Sequence, residues 1–305
     1  MGQTQNQGTG FANGRAGSRY WRSKTAYFGV FPFLIFSGLF LLYPTWNVVS
    51  GAFMDQKNEF STDVLVEVFT SPIARNAFKN SLEISAKTAL IGAILGAFFA
   101  WALVTGKPGG FFYRFSVALC SVLALFGGVM LTFAFLATFG FNGLVATLAV
   151  EYLPNTFLAE SAWLYGKTGL MVLYTFFQIP LMVLVFLPTL ENLKPQWREA
   201  SDALGGKAYE FWIRIGIPIL TPSFAGAALL LFVNSFAAYA TAATLINLSD
   251  FLTPLQIATA LTSEVGGANP AEAKSLSLYM VIVVVIAMSL YALLRRKVSK
   301  WEDRR

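Results

Sequence analysis

The chain has 305 residues, 56% of them apolar and only 12% charged, with a net charge of +6, one cysteine and no histidine. Soluble domains usually have about a quarter of their residues charged, so this composition excludes an ordinary water-soluble enzyme core and points to a bilayer. A lone cysteine, Cys120, excludes an intrachain disulfide, and the absence of histidine removes the usual zinc and haem sites. Cys120 itself lies in an apolar run and reads as a small buried hydrophobe.

Residues 1–24 are rich in Gly, Gln, Asn and Ser, which predicts a disordered tail. The first apolar run, Tyr27–Val49, is longer than the core of a cleavable signal. It ends in the bulky sequence Tyr43-Pro44-Thr45-Trp46 rather than a small-residue cleavage site, so it reads as a retained helix. Five further runs follow: Ser85–Val104, Phe115–Phe139, Gly169–Leu190, Ile219–Leu245 and Leu276–Leu294. Each approaches the ~20 apolar residues a membrane helix needs, whereas barrel strands alternate polarity over ~10. The expected architecture is all-α and integral to the membrane. It divides into the tail, a first transmembrane helix with an outer loop (25–79), a five-helix core (80–294) and a basic tail (295–305).

The basic residues orient these six spans. Arg15–Lys24, Lys107 and Arg114, Lys194–Arg214 and Arg295–Arg305 all fall on one side if both termini are cytoplasmic. Lys57, Arg75, Lys79, Lys87, Lys167 and Lys274 fall outside or at the outer rim. This is the positive-inside pattern, and it accounts for the positive net charge without any nucleic-acid partner. The expected location is a bacterial inner membrane, crossed several times.

The segment 191–218 between the fourth and fifth runs is the informative one. Pro195 suits a first helical turn, and Trp197, Ala200 and Leu204 then recur at spacings of three and four as one apolar stripe. Gly205-Gly206 supplies a helix end, a second short helix is expected over Lys207–Ile215, and Pro218 marks entry into the fifth span. On composition alone this unit could equally be an amphipathic hairpin floating at the headgroups.

Glu199-Ala200-Ser201, Gly205 after three residues, and Ile215-x-Ile217-Pro218 after nine more resemble the EAA signature of permeases in binding-protein-dependent ABC importers. That signature is Glu-Ala-Ala, three residues, Gly, nine residues, Ile-x-Leu-Pro; Ser201 and Ile217 depart from it conservatively. The likeness covers roughly Asn80–Leu294, and within the family the texture is most similar to spermidine/putrescine-type permeases, a group that also includes relatives for iron, thiamine and phosphonates. The resemblance implies a type I importer fold in which the loop couples to a separate ATPase. Trp197, Ala200 and Leu204 would enter a groove of that partner, and Glu199 would offer it a carboxylate. Gly205 would allow a turn that a side chain would obstruct, and Ile215, Ile217 and Pro218 would transmit movement.

The resemblance also implies partners: two ATPase subunits, a second permease of different sequence, and an extracytoplasmic solute-binding protein. ATP and Mg would be held by the ATPase and no cofactor by this chain. Gly166-Lys167-Thr168 mimics the end of a phosphate loop, but Ser161 stands where its glycine belongs, so it reads as a loop turn.

Within the spans, Gly92 and Gly96 form a Gly-x-x-x-Gly pair suited to close helix packing. Tyr174 and Gln178 share a face of the fourth span. Asn234 aligns with Thr241, and Ser235 with Tyr239, on the fifth. These polar side chains either line a translocation path or bond between helices. No carboxylate lies at mid-membrane, so either the solute is not a polyamine or the external binding protein sets the specificity. A gradient-driven secondary transporter is the alternative, although it would favour repeated halves or midplane charges.

Overall fold

The structure is a computed structural model that describes residues 24–55, 59–106, 109–152, 156, 160–246, 251–262 and 269–302. The expectation of a disordered N-terminal tail therefore lies outside the described residues. The chain separates into two units, Met1–Ser50 and Gly51–Arg305.

The described part of the first unit is a nearly continuous helix: α1 (Lys24–Ser37), a π-helical turn over Gly38–Leu42, and α2 (Tyr43–Gly51). Pro44 explains the π-turn. Its nitrogen cannot donate and its ring crowds the carbonyl four residues back, so the helix widens and Tyr43 N–H bonds Gly38 O instead.

The second unit begins with the short helix α3 (Asp63–Thr70), then α4 (Pro72–Thr105). The second apolar run thus sits in a helix of 34 residues that starts well before Ser85 and before the expected core boundary at Asn80. Pro72 takes the first helical position, where a missing N–H is harmless.

The third run, read as one span, is two helices: α5 (Phe111–Leu125) and α6 (Val129–Phe139). The break falls at Phe126-Gly127-Gly128, where Gly128 adopts φ +68°. α7 (Leu144–Tyr152) and a 3-10 turn over Ser161–Tyr165 lead to α8 (Lys167–Glu191). Gly166 caps α8 and Lys167-Thr168 begin it, so that tripeptide is a helix start rather than a loop turn.

After the loop helix α9 (Pro195–Ala203) come α10 (Ala208–Phe211), a second π-turn over Trp212–Gly216, and α11 (Ile217–Phe236). The last three run on as one helix, so Pro218 is not a boundary. It stands two residues after its π-turn, as Pro44 does, and Ile217 N–H bonds Trp212 O. The fifth run then stops at Phe236 and resumes as α12 (Ala240–Leu245). The short helix α13 (Thr253–Thr262) and the long α14 (Pro270–Glu302) complete the chain.

Among the described residues, six helical stretches are long and apolar enough to cross a membrane: Val30–Gly51, Pro72–Thr105, Val129–Tyr152, Lys167–Glu191, Ala208–Phe236 and Pro270–Leu294. The chain is a multi-pass, all-helical membrane protein. α8 is its hub, with Leu170, Leu173, Met182, Val183 and Leu190 almost inaccessible. One core joins α4, α5, α8 and α11 through Ala93, Cys120, Val183 and Leu231; another joins α8 to α6 and α12 through Leu131, Tyr174 and Leu245. The Gly92/Gly96 pair sets the α4–α8 approach. A Cβ on Gly92 would lie 2.7 Å from Gln178 Cβ, and one on Gly96 would lie 2.5 Å from Met182 Cβ.

Candidate coupling loop and membrane polar groups

The loop 191–218 forms a sharp helical corner. Pro195 opens α9, and its C-terminus closes by two bonds, Gly206 N–H to Ser201 O at 2.9 Å and Gly205 N–H to Asp202 O at 3.0 Å. That pair, with Gly205 at φ +75°, is a Schellman ending. Lys207 N–H then donates to Glu210 Oε2 at 3.0 Å, which fixes the start of the next helix.

The two glycines have different duties. A Cβ on Gly205 would meet nothing within 4 Å, so its role is conformational; the expectation that a side chain would be obstructed there does not hold. Obstruction belongs to Gly206, whose Cβ would lie 2.7 Å from Ser201 Oγ and 2.9 Å from Ser201 O. Ser201 and Gly206 thus pack as a pair that leaves no room for bulk. The glycine doublet was the signal in the sequence; its division of labour was not.

α9 buries none of its residues within the chain. Leu204, on the predicted apolar stripe, is 89% exposed, and Trp197 is half-buried. Glu199 is exposed and forms no ion pair among the described residues. Ile217 and Pro218 are exposed and Ile215 is half-buried. Trp197, Ala200 and Leu204 line a cleft of about 480 Å³ whose other wall includes Arg214, Ile215 and Ile219. Of these, Arg214 and Ile219 carried no sequence signal, because their inclusion depends on the corner angle. Behind the corner, Trp212 stacks edge-on against Trp101 at 6.1 Å.

The six polar membrane residues separate into two groups. Tyr174, Gln178, Ser235 and Thr241 are buried, while Asn234 and Tyr239 are exposed. Tyr174 OH donates to Ala238 O at 2.5 Å, and Gln178 Nε2 donates to Thr88 Oγ1 at 3.0 Å. Ser235 Oγ reaches Ser85 O at 3.4 Å, and the Thr241 carbonyl lies 3.5 Å from Thr132 Oγ1. The predicted alignments of Asn234 with Thr241 and of Ser235 with Tyr239 fail, because the helix is interrupted between Phe236 and Ala240. That interruption places the free carbonyl of Ala238 where Tyr174 can bind it.

At the end of the bundle away from α9, Glu83 of α4 accepts from Lys87 at 2.6 Å and from Lys167 of α8 at 2.9 Å. At the α9 end, Tyr113 OH donates to Glu191 and joins α5 to α8.

No family model matches the chain. It is 27% identical over 216 residues to the sulfate transport system permease protein CysT of Escherichia coli (strain K12), spanning 68% of this chain and 69% of that one. The putative ferric transport system permease protein FbpB 1 of Haemophilus influenzae is 23% identical over 201 residues, 65% of this chain and 30% of the relative. The thiamine transport system permease protein ThiP of Escherichia coli (strain K12) is 28% identical over 156 residues, half of this chain. A solved bacterial ABC transporter involved in import of the acidic polysaccharide alginate superposes with a TM-score of 0.66 at 16% identity, covering 90% of this chain and 95% of that one.

The fold is therefore that of an ABC importer permease. The finer likeness to spermidine/putrescine permeases finds no specific support, since these relatives are named for sulfate, ferric iron and thiamine.

Proposed function

We propose that the chain is the membrane-spanning permease subunit of an ATP-binding-cassette importer, passing a small solute inward while a separate subunit hydrolyses ATP. The observation that carries this reading is the α9 corner. A signature-spaced helix ends in a Schellman turn, buries nothing within its own chain, and sits on an importer permease fold. Ala200 and Leu204 stand exposed beside an open cleft, a surface that an ATPase groove fits.

In this reading the α9 corner and both termini face the cytoplasm of a bacterial cell, in its inner membrane. Two ATPase copies hold ATP and Mg, a second and different permease completes the pathway, and an extracytoplasmic binding protein delivers the solute. A solved relative of this fold was crystallised with a pentasaccharide-bound periplasmic protein, which supports the last of these. The solute belongs to the range named for the relatives, with selection resting mainly on the binding protein. Asn234 and Tyr239 are the side chains placed to meet it; Tyr174, Gln178, Ser235 and Thr241 hold the surrounding helices.

The test is mass spectrometry of proteins that co-purify with the chain from gently solubilised membranes, with Glu199→Ala in parallel. An ATPase and a second permease, depleted in the variant, are the expected result. Recovery of the chain alone, with uptake that follows an ion gradient rather than ATP, would instead favour a secondary transporter.

A further inference from the structure

At the end of the bundle opposite the α9 corner, a cavity of about 500 Å³ opens between α3, α4, α13 and α14. Its base is a small core in which Val68, Ala74 and Leu276 are buried against one another. Its wall is pinned by Tyr279, whose OH donates to Leu65 O at 2.7 Å and whose ring lies 5.7 Å from that of Phe69. Arg75, Asn76 and Lys79 also line it.

Arg75 and Lys79 stand one turn apart on α4, which places their side chains side by side. Neither forms an ion pair among the described residues. The next carboxylate along the helix, Glu83, is already held by Lys87 and Lys167. Two unneutralised cations over an apolar wall call for an anion with an apolar body.

The level in the membrane identifies it. At ~1.5 Å per residue, Lys79 and Arg75 lie ~39 and ~45 Å along α4 from Thr105. A bilayer with its headgroups is ~40–45 Å thick, so both cations reach the headgroup layer of the leaflet opposite α9. Val66, Phe69 and Ile73, at the α3–α4 corner beside the cavity, are all exposed. Such a surface suits acyl chains better than a water-soluble protein.

We propose that this cavity holds an anionic glycerophospholipid, its phosphate between Arg75 and Lys79 and its upper acyl chain against Phe69, Leu276 and Tyr279. The site needs only that α4 and α14 cross a bilayer, and so stands apart from the importer reading.

The test is native mass spectrometry of the purified, delipidated full-length chain titrated with dioleoylphosphatidylglycerol or dioleoylphosphatidylcholine. One tightly held phosphatidylglycerol is expected. Its affinity should fall about tenfold for each of Arg75→Gln and Lys79→Gln, and should be unchanged for Arg114→Gln near the other face. Equal retention by the double variant, or no preference between the two lipids, overturns the proposal. So does displacement by millimolar inorganic phosphate, which would make the site one for a soluble oxyanion. Loss of a soluble extracytoplasmic protein from the double variant, with lipid retained, would reassign the cations to protein docking. Should the double variant not fold, the single variants carry the test.

Discussion

Substituting Gly205 separates the shape of the α9 corner from what the corner touches. Gly205 sits at φ +75° with nothing within 4 Å of a Cβ, so a side chain there meets no atoms and incurs only the left-handed backbone cost. For L-residues that is about 1–2 kcal/mol, and Asn and Asp lie at its lower end. Gly205→Asn and Gly205→Asp should therefore insert and melt alike, each within about 1 kcal/mol of the parent. The two differ at a protein partner, because burying an unpaired carboxylate costs several kcal/mol. Gly205→Asp should thus weaken ATPase capture at least ~100-fold while Gly205→Asn loses about tenfold or less. Fluorescence-detected chromatography reads folding, immobilised ATPase reads capture, and vesicle uptake reads transport. Equal behaviour of the two variants in capture, or normal uptake by Gly205→Asp, would refute a docked corner.

Gly206→Val, one residue on, should do the opposite: its Cβ falls 2.9 Å from Ser201 O, so the Schellman turn opens, and proteolysis of the loop should rise. Gly96→Leu should force α4 and α8 apart, since its Cβ would lie 2.7 Å from Ile179 O; a loss of about 2 kcal/mol or more in detergent unfolding is expected. Tyr174→Phe removes the bond to Ala238 O and strands that carbonyl, so stability should drop by about 1–3 kcal/mol with no change in ATPase capture. Glu83→Gln should leave the melting temperature nearly unchanged, because its bonds to Lys87 and Lys167 are partly exposed and such pairs are screened by solvent.

The sequence was most legible where a physical rule acts locally. The α9 start at Pro195, its stripe and its glycine ending follow from missing donors, helical spacing and a left-handed residue, all within a dozen positions. The Gly92/Gly96 seam was likewise readable, because only a missing side chain lets helices approach so closely. The third run shows a signal that hydropathy obscured. Gly127-Gly128 marks the α5–α6 break, but both glycines lie in an apolar stretch long enough to pass for one span. The fifth run had no such mark. Ala237-Ala238-Tyr239 contains neither Gly nor Pro, and the break there is accompanied by a bond from Tyr174, sixty-four residues earlier. α3 and α13 escaped notice because each is too short to span, and what holds them is tertiary: Tyr279 bonds Leu65 O, and Ser81 Oγ accepts from Thr253 N–H.

Pro44, in the bulky end of the first run, and Pro218, expected as a helix entry, share a mechanical consequence. Pro44 and Pro218 each follow a π-turn, and each is absorbed by a helix that continues through it. For Pro218 this means that the second loop helix and the fifth span are one body: Ala208–Phe236, 29 residues or ~44 Å of helix. The helix is widened at the π-turn, where Ile217 N–H bonds Trp212 O. There the Trp212 ring covers Gly216, whose Cβ would lie 2.7 Å from it, and leans on Trp101 of α4. The far end of the body is the interruption at Ala238, tied to Tyr174 of the hub helix α8. Under the proposed function, a push on α9 enters a lever pivoted at Trp212 and arrives at a tethered break, beside the exposed Tyr239. A continuous α-helix through Ala238 would spread that motion along its length. An interrupted one would concentrate it at that break, which is where a gate between two packings belongs.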